Sequence, residues 1–219
     1  MLEEFYADLQ QGIAVREFLA RYPSVIDFVH AQGLTSSIRL GAGRCKRLRD
    51  ELSPARRFAQ ASAGPDDLIQ FPLDCGAVDC NIVTPSGTIR KIQITIAQAR
   101  ERLNLMRELE STKIGRGYLG VMDDAPTDEF NRAISRPRVM YSTTGAQNTL
   151  SRAFALCIER KADPKGADTL LIDAPLNILP MIRITEIVPQ LRQIASASRF
   201  PSVFLVGDGE FRQSCFRLK

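Results

Sequence analysis

The side chains with the clearest chemical use lie on two segments that the sequence predicts to be neighbouring strands. Residues 88–96 alternate between isoleucines and mainly polar side chains, which is typical of a half-buried strand. The polar face of this second strand carries Lys91, Gln93 and Thr95. On the preceding segment Asp79 and Asn81 share a face, and a turn at residues 85–87 joins the two segments. The hairpin is expected to collect a carboxylate, a carboxamide, a hydroxyl and an ammonium group in one pocket.

Such a pocket suits a hard divalent cation, Mg²⁺ or Mn²⁺. Mg²⁺ takes oxygen ligands and keeps several waters, so the Asp79 carboxylate and neighbouring oxygens could hold it. The ion would polarise a phosphodiester and lower the pKa of a bound water, while a nearby lysine supports the developing charge. Each residue also has a plainer interpretation. Asp79 could be an ordinary hairpin residue, Lys91 a solvated side chain, and Gln93 a solvent-facing strand residue like Thr95.

The elements that would position this hairpin follow from hydrophobic spacing. Residues 1–64 are predicted to form a helical N-terminal region, with Pro23 starting its second helix and Ser53 capping a later one. Residues 65–219 are predicted to form an α/β core, with an irregular insertion at 111–145. Further helices are expected at 97–109, 147–161 and 177–198, and further strands at 169–173, 203–206 and 211–218. This order predicts a mixed central sheet flanked by helices.

Composition narrows the chemistry further. The chain of 219 residues is 44% hydrophobic and 25% charged, which is ordinary globular composition. Five cysteines without a CxxC pair argue against a disulfide framework, and a single histidine, His30, argues against zinc and most histidine catalysis. No apolar run approaches the roughly 20 residues that span a bilayer, so no membrane partner is expected. A reduced, cytoplasmic protein is the simplest interpretation.

Positive charge is concentrated in one part of the chain. The net charge is only +4, but residues 39–57 hold seven basic side chains against Asp50 and Glu51. A local excess of this size attracts phosphate backbones, although a solvated helix face is an equal alternative. The candidate nucleic-acid contacts are Arg44, Lys46, Arg47, Arg49, Arg56 and Arg57. DNA is the favoured partner. Formation of a homodimer and binding of another protein are alternatives that the sequence leaves open.

Over residues 45–218 the chain resembles the PD-(D/E)XK nuclease superfamily, which has a restriction-endonuclease-like fold. Val78-Asp79 is similar to the first family motif, and Ile92-Gln93-Ile94-Thr95 to the second. Glu51 stands on a helix where several members carry an accessory acid. The resemblance implies Mg²⁺ held by Asp79, Gln93 and Glu51. It also implies that Lys91 stabilises phosphate charge and that Thr95 orients water or substrate.

The second motif departs from the family pattern in a way that leaves several functions open. Gln93 replaces an acidic metal ligand and Thr95 replaces the lysine, which Lys91 could supply from two residues earlier. One hypothesis is a metal-dependent endonuclease with weakened or lost catalysis. A second is a non-catalytic module of the same fold that binds nucleic acid or protein. A third is a regulatory protein with no nucleic-acid role. Asp173, at the end of a predicted strand, could be a helix N-cap or a site residue, and the cap is the favoured interpretation.

Overall fold

A computed structural model describes residues 1–40, 42–43, 45–74, 76–112, 120–136, 142–176, 181–207 and 215–219. The described helices are α1 Leu2–Gln11, α2 Val15–Ala31, α3 Thr35–Leu40, α4 Cys45–Arg47, α5 Ser53–Ser62, α6 Ala99–Thr112, α7 Thr127–Ile134, α8 Thr143–Arg160 and α9 Met181–Ser196. A π-helix, Leu48–Leu52, joins α4 to α5. The described strands are β1 Ile13–Ala14, β2 Leu68–Gln70, β3 Cys80–Val83, β4 Ile89–Ile96, β5 Thr169–Ala174, β6 Ser202–Gly207 and β7 Cys215–Arg217.

These strands form one mixed sheet in which spatial order follows chain order, from β1 to β7. The pairs β4–β5 and β5–β6 are parallel, and the other four are antiparallel. Parallel neighbours need a crossover, which α6 to α8 provide for the first pair and α9 for the second. The predicted α/β architecture with helix-flanked mixed sheet is therefore confirmed. Of the predicted last strand and the turn before it, residues 208–214 lie outside the described residues.

The sheet is covered on both faces. On one face α1, α2, the π-helix and α5 enclose a core with side chains such as Phe18, Phe58 and Ile92. On the other face α8 and α9 enclose a second core that includes Phe154 and Leu170. Every residue of β5 is consequently buried, as expected for a parallel strand between two helical layers. We call the face covered by α1, α2, the π-helix and α5 the N-terminal-helix face, and the face covered by α8 and α9 the α8 face.

The N-terminal region is helical, as predicted, but it also contributes to the sheet. β1 pairs with β2 through Ile13 and Ile69. Pro23 lies inside α2, which begins eight residues earlier, so the prediction that Pro23 starts a helix is wrong. The boundary at residue 64 stays a prediction. In the expected insertion the structure describes α7, while residues 113–119 and 137–141 lie outside the described part.

The π-helix has a local cause. Pro54 has no N–H, and its ring would clash with the carbonyl four residues earlier in a regular helix. The chain inserts an extra residue just before it, and the Ser53 N–H donates to the Leu48 carbonyl five residues back. Ser53 has helical backbone angles and makes no cap, so the predicted helix start there is wrong. π-Turns inside helices are rare and often occur at functional sites.

Two further features of the described residues bear on the expected setting of the protein. Cys45, Cys80, Cys157 and Cys215 are free thiols, and Cys75 lies outside the described residues. His30 is exposed, with its Nδ1 2.7 Å from the Thr35 hydroxyl, so it packs at the surface. Within the described ranges, no helix combines the length and the apolar character needed to cross a membrane.

Candidate functional site

Asp79 lies at the open end of the β3–β4 hairpin. β3 begins at Cys80, which pairs with Ile92, so Ile94 of β4 has no partner residue in β3. The Asp79 Oδ2 instead accepts the Ile94 N–H at 2.6 Å. The Asp79 N–H donates to the Ile92 carbonyl at 2.9 Å, although Ile92 is paired with Cys80. Two residues therefore oppose one, as in a β-bulge, which re-aims side chains. The predicted alternation that gives Asp79 and Asn81 a common face is interrupted at this point.

A second carboxylate, Glu51, approaches Asp79 from the π-helix. Burial raises the pKa of Asp79, while the Ile94 N–H, Lys161 and Arg47 lower it. Burial and then the charge of Asp79 raise the pKa of Glu51 to about 7. Two partly desolvated carboxylates that repel each other are thus gathered at one end of the sheet, next to cations from α4 and from the end of α8.

The two polar residues of β4 that were expected in this pocket face the opposite way. Ile92 and Ile94 belong to the core on the N-terminal-helix face, so Gln93 points to the α8 face, where it is only 6% exposed. Its Oε1 has no hydrogen-bond partner among the described residues. Thr95 forms a hydrogen bond with Cys157 of α8. Burial raises the pKa of the Cys157 thiol to about 11, and this hydrogen bond partly offsets that rise. The expectation of a half-buried β4 with a solvent-facing polar side is therefore wrong in this stretch.

Lys91 lies two positions along the hairpin from Asp79. It pairs with Asn81, its side chain is exposed, and its N–H donates to Asp168 Oδ2 at 2.9 Å. The cations that lower the Asp79 pKa are instead Lys161 and Arg47. The charge-stabilising role expected for Lys91 stays a prediction.

The predicted metal ligands are therefore not gathered on one face. Glu51 lies with the π-helix on the N-terminal-helix face, whereas Gln93 faces α8. Within the described ranges no three His, Cys, Asp or Glu side chains form a group that could hold a metal ion. Asp79 and Glu51 alone fit a hard divalent cation, because a positive ion would relieve their mutual repulsion.

A buried acidic group, Asp173, lies at the carboxyl end of β5. Its side chain is 2% exposed and accepts 2.8 Å hydrogen bonds from Arg57 of α5 and from Arg102 of α6. Asp173 lies within β5, so the prediction that it caps a helix is wrong. Arg57, a candidate phosphate contact in the sequence, is turned inward by this pair and is only 16% exposed.

A cleft of about 610 Å³ opens beside Asp173, at the carboxyl ends of β4 and β5. It lies between α3, α4 and the π-helix on one side and α6 on the other. Its charged lining is Arg39, Lys46, Arg49, Arg100 and Arg102 against Asp50 and Asp173, and its apolar lining is Ile38, Ile96, Ala99, Leu103 and Met106. We call this the basic cleft. Carboxyl ends of parallel strands are where α/β proteins commonly bind ligands.

Two arginines of the cleft, Arg39 and Arg49, are held in place by neighbouring groups. Arg39 donates to Glu110 of α6 at 2.7 Å, which ties α3 to α6 across the cleft. Arg49 forms two hydrogen bonds with Asp50 and donates to the Arg39 carbonyl. Lys46 is exposed. Arginines fixed in this way lose little freedom when they bind an anion.

The remaining basic candidates do not line the cleft. The charge of Arg47 lowers the pKa of both Asp79 and Glu51. Arg56 lies over the Tyr22 ring with its guanidinium 5.5 Å from the ring centroid. Arg44 lies outside the described residues. Sequence reasoning did not assign Arg100, Arg102 or the buried role of Asp173. The sequence signal that could have indicated Arg100 and Arg102 was the high density of charge at the start of α6, just after the strand β4.

Comparison with known proteins adds no relative. No protein-family model, curated protein or solved structure matches the chain. A function is therefore inferred from two features of the structure, the basic cleft and the Asp79–Glu51 pair.

The raised pKa of Glu51 is expected to make the stability of the protein depend on pH. Its pKa rises from 4.5 to about 7 on folding, so its stabilising contribution is complete below about pH 4.5 and is lost as pH rises through about 7. Glu51→Gln is expected to flatten the fall in unfolding free energy between about pH 5 and about pH 8, measured by urea titration. Glu129→Gln, on an exposed helix position, is the control. Parallel curves for Glu51→Gln and wild type would contradict this account.

Proposed function

We propose that this protein binds nucleic acid through the basic cleft, with DNA as the favoured partner, and does not cut it. The observation that carries the proposal is the lining of the cleft, where five cationic side chains stand against two anionic ones. Such an excess in a concave surface attracts phosphates and releases condensed counterions when it binds them. The exposed Lys46 and the braced Arg39 and Arg49 supply the first contacts.

The β4 site favours binding over hydrolysis. Gln93 is a neutral residue at the position that resembles the acidic family ligand, and it is buried on the α8 face of the sheet. Thr95, at the position that resembles the family lysine, is engaged with Cys157. The free thiols among the described cysteines suit the reducing cytoplasm that we propose as its location.

A second candidate is a metal-dependent nuclease of restriction-endonuclease-like type with weakened activity. The Asp79–Glu51 pair specifically favours it, because paired carboxylates of raised pKa occur at catalytic sites. Asp79 and Glu51 would hold Mg²⁺ or Mn²⁺, and the ion would supply Lewis acidity and an acidified water. In this candidate Lys161 and Arg47, which already act on Asp79, would counter the charge of a bound phosphodiester.

One set of samples separates the two candidates. Fluorescence anisotropy of labelled DNA and RNA is measured at low and at physiological salt, and plasmid is incubated in parallel with Mg²⁺ or Mn²⁺. The proposed function predicts binding that weakens steeply with salt, without nicking. Absence of binding at low salt would contradict it.

Reproducible nicking would instead favour the nuclease, provided that Asp79→Asn abolishes it. Asp168→Asn is the matched control, because Asp168 also accepts an N–H from β4, that of Lys91, three residues before Ile94. Retained nicking in Asp79→Asn would remove Asp79 from any catalytic role and point to a contaminating nuclease.

A further inference from the structure

The basic cleft has an apolar wall that the fold leaves partly open. Ala99, Leu103 and Met106 recur along α6 at the spacing of one helix face, and all three line the cleft. Leu103 and Met106 are partly exposed there, as are Ile38 and Ile96 across from them. Contact with a ligand would remove this apolar surface from water.

The apolar wall and the cations occupy the same concave space. Arg39, Lys46 and Arg49 lie on the side formed by α3, α4 and the π-helix, whereas Leu103 and Met106 lie on α6. A matching ligand has an apolar planar part and an anionic part within the length of one small molecule. At about 610 Å³ the cleft is in the usual range for such ligands.

We infer that the basic cleft receives one unstacked nucleotide of a single strand, with the base on the apolar wall and the phosphate on the cations. This inference rests on the proposed function. A base within a duplex is stacked on both faces and paired at its edge, so it cannot lie against Leu103 and Met106. An unstacked base can, because a base taken out of the stack packs against aromatic or apolar side chains.

The test compares two probes of equal backbone charge in fluorescence anisotropy at one low salt concentration. One probe is a short oligodeoxythymidylate, and the other is an oligomer of the same length with abasic sites throughout. The wild-type protein is expected to bind the oligodeoxythymidylate about tenfold more tightly, the effect of removing roughly 55 Å² of apolar surface from water. The Leu103→Gln/Met106→Gln variant is expected to lose this preference and to keep its affinity for the abasic oligomer.

Ile89→Gln is the control, since Ile89 is 51% exposed at the start of β4, away from the cleft. It should keep the tenfold preference. Equal wild-type affinities for the two probes would overturn the inference and leave the proposed function intact. Failure to bind either probe at low salt would also overturn the inference, and failure to bind duplex DNA as well would overturn the proposed function itself. The abasic affinity of the double variant also reports whether that variant is folded.

Discussion

Asp173→Ala is expected to lower the free energy of unfolding by about 3–5 kcal/mol, the range seen when one partner of a buried ion pair is removed. Asp173 is 2% exposed, and its two oxygens accept from guanidinium groups of different helices. Arg57 and Arg102 are only 16% and 21% exposed, so water could replace the lost carboxylate poorly. Urea unfolding at constant pH measures the change.

The exposed pair between Arg16 and Asp66 supplies the control. Its side chains are 69% and 64% exposed, and Asp66→Ala is expected to change stability by no more than about 1 kcal/mol. Asp173→Asn, which keeps the volume and one oxygen acceptor, should lie between the two. A loss for Asp173→Ala as small as that of Asp66→Ala would show that the buried cluster does not hold α5 and α6 to the end of β5.

Lys46→Glu is expected to weaken nucleic-acid binding about tenfold at low salt and to reduce the slope of log K against log salt by about one. Lys46 is an exposed cation of the basic cleft, and reversal of its charge adds repulsion to the lost phosphate contact. The weakening should be similar for all sequences, because phosphate contacts carry no base information. Anisotropy titrations over a salt series give both quantities.

Lys165→Glu makes the same charge change at the opposite end of the sheet. Lys165 is exposed in the turn before β5, whereas the cleft lies where β5 ends. This control is expected to keep the wild-type salt slope. Equal losses in the two variants would mean that the overall charge of the protein, and not the cleft, attracts nucleic acid.

The hairpin and the order of later elements could be predicted because their signals are local. Alternating isoleucines mark β4, and the cluster at residues 85–87 marks the turn that pairs it with β3. The burial of Gln93 could not be predicted in the same way. Alternation assigns side chains to two faces, but whether a helix such as α8 covers the polar face depends on packing between distant segments.

The cleft was predictable only on its basic side. Arg39, Lys46 and Arg49 lie within ten residues of one another and form a visible charge cluster. Asp173 meets Arg57 across 116 residues and Arg102 across 71, so no local pattern marks these contacts. The Ser-Pro pair at residues 53–54 was misleading for a related reason. It resembles a helix start, but the chain continues through it as a π-helix.

Hydrogen–deuterium exchange of the full chain, with and without a single-stranded oligonucleotide, tests most directly whether the basic cleft is the interface. The account predicts slower exchange in α3, α4, the π-helix and the first two turns of α6, and little change in α8 and α9. Bound oligonucleotide with protection confined to α8 and α9 would contradict it.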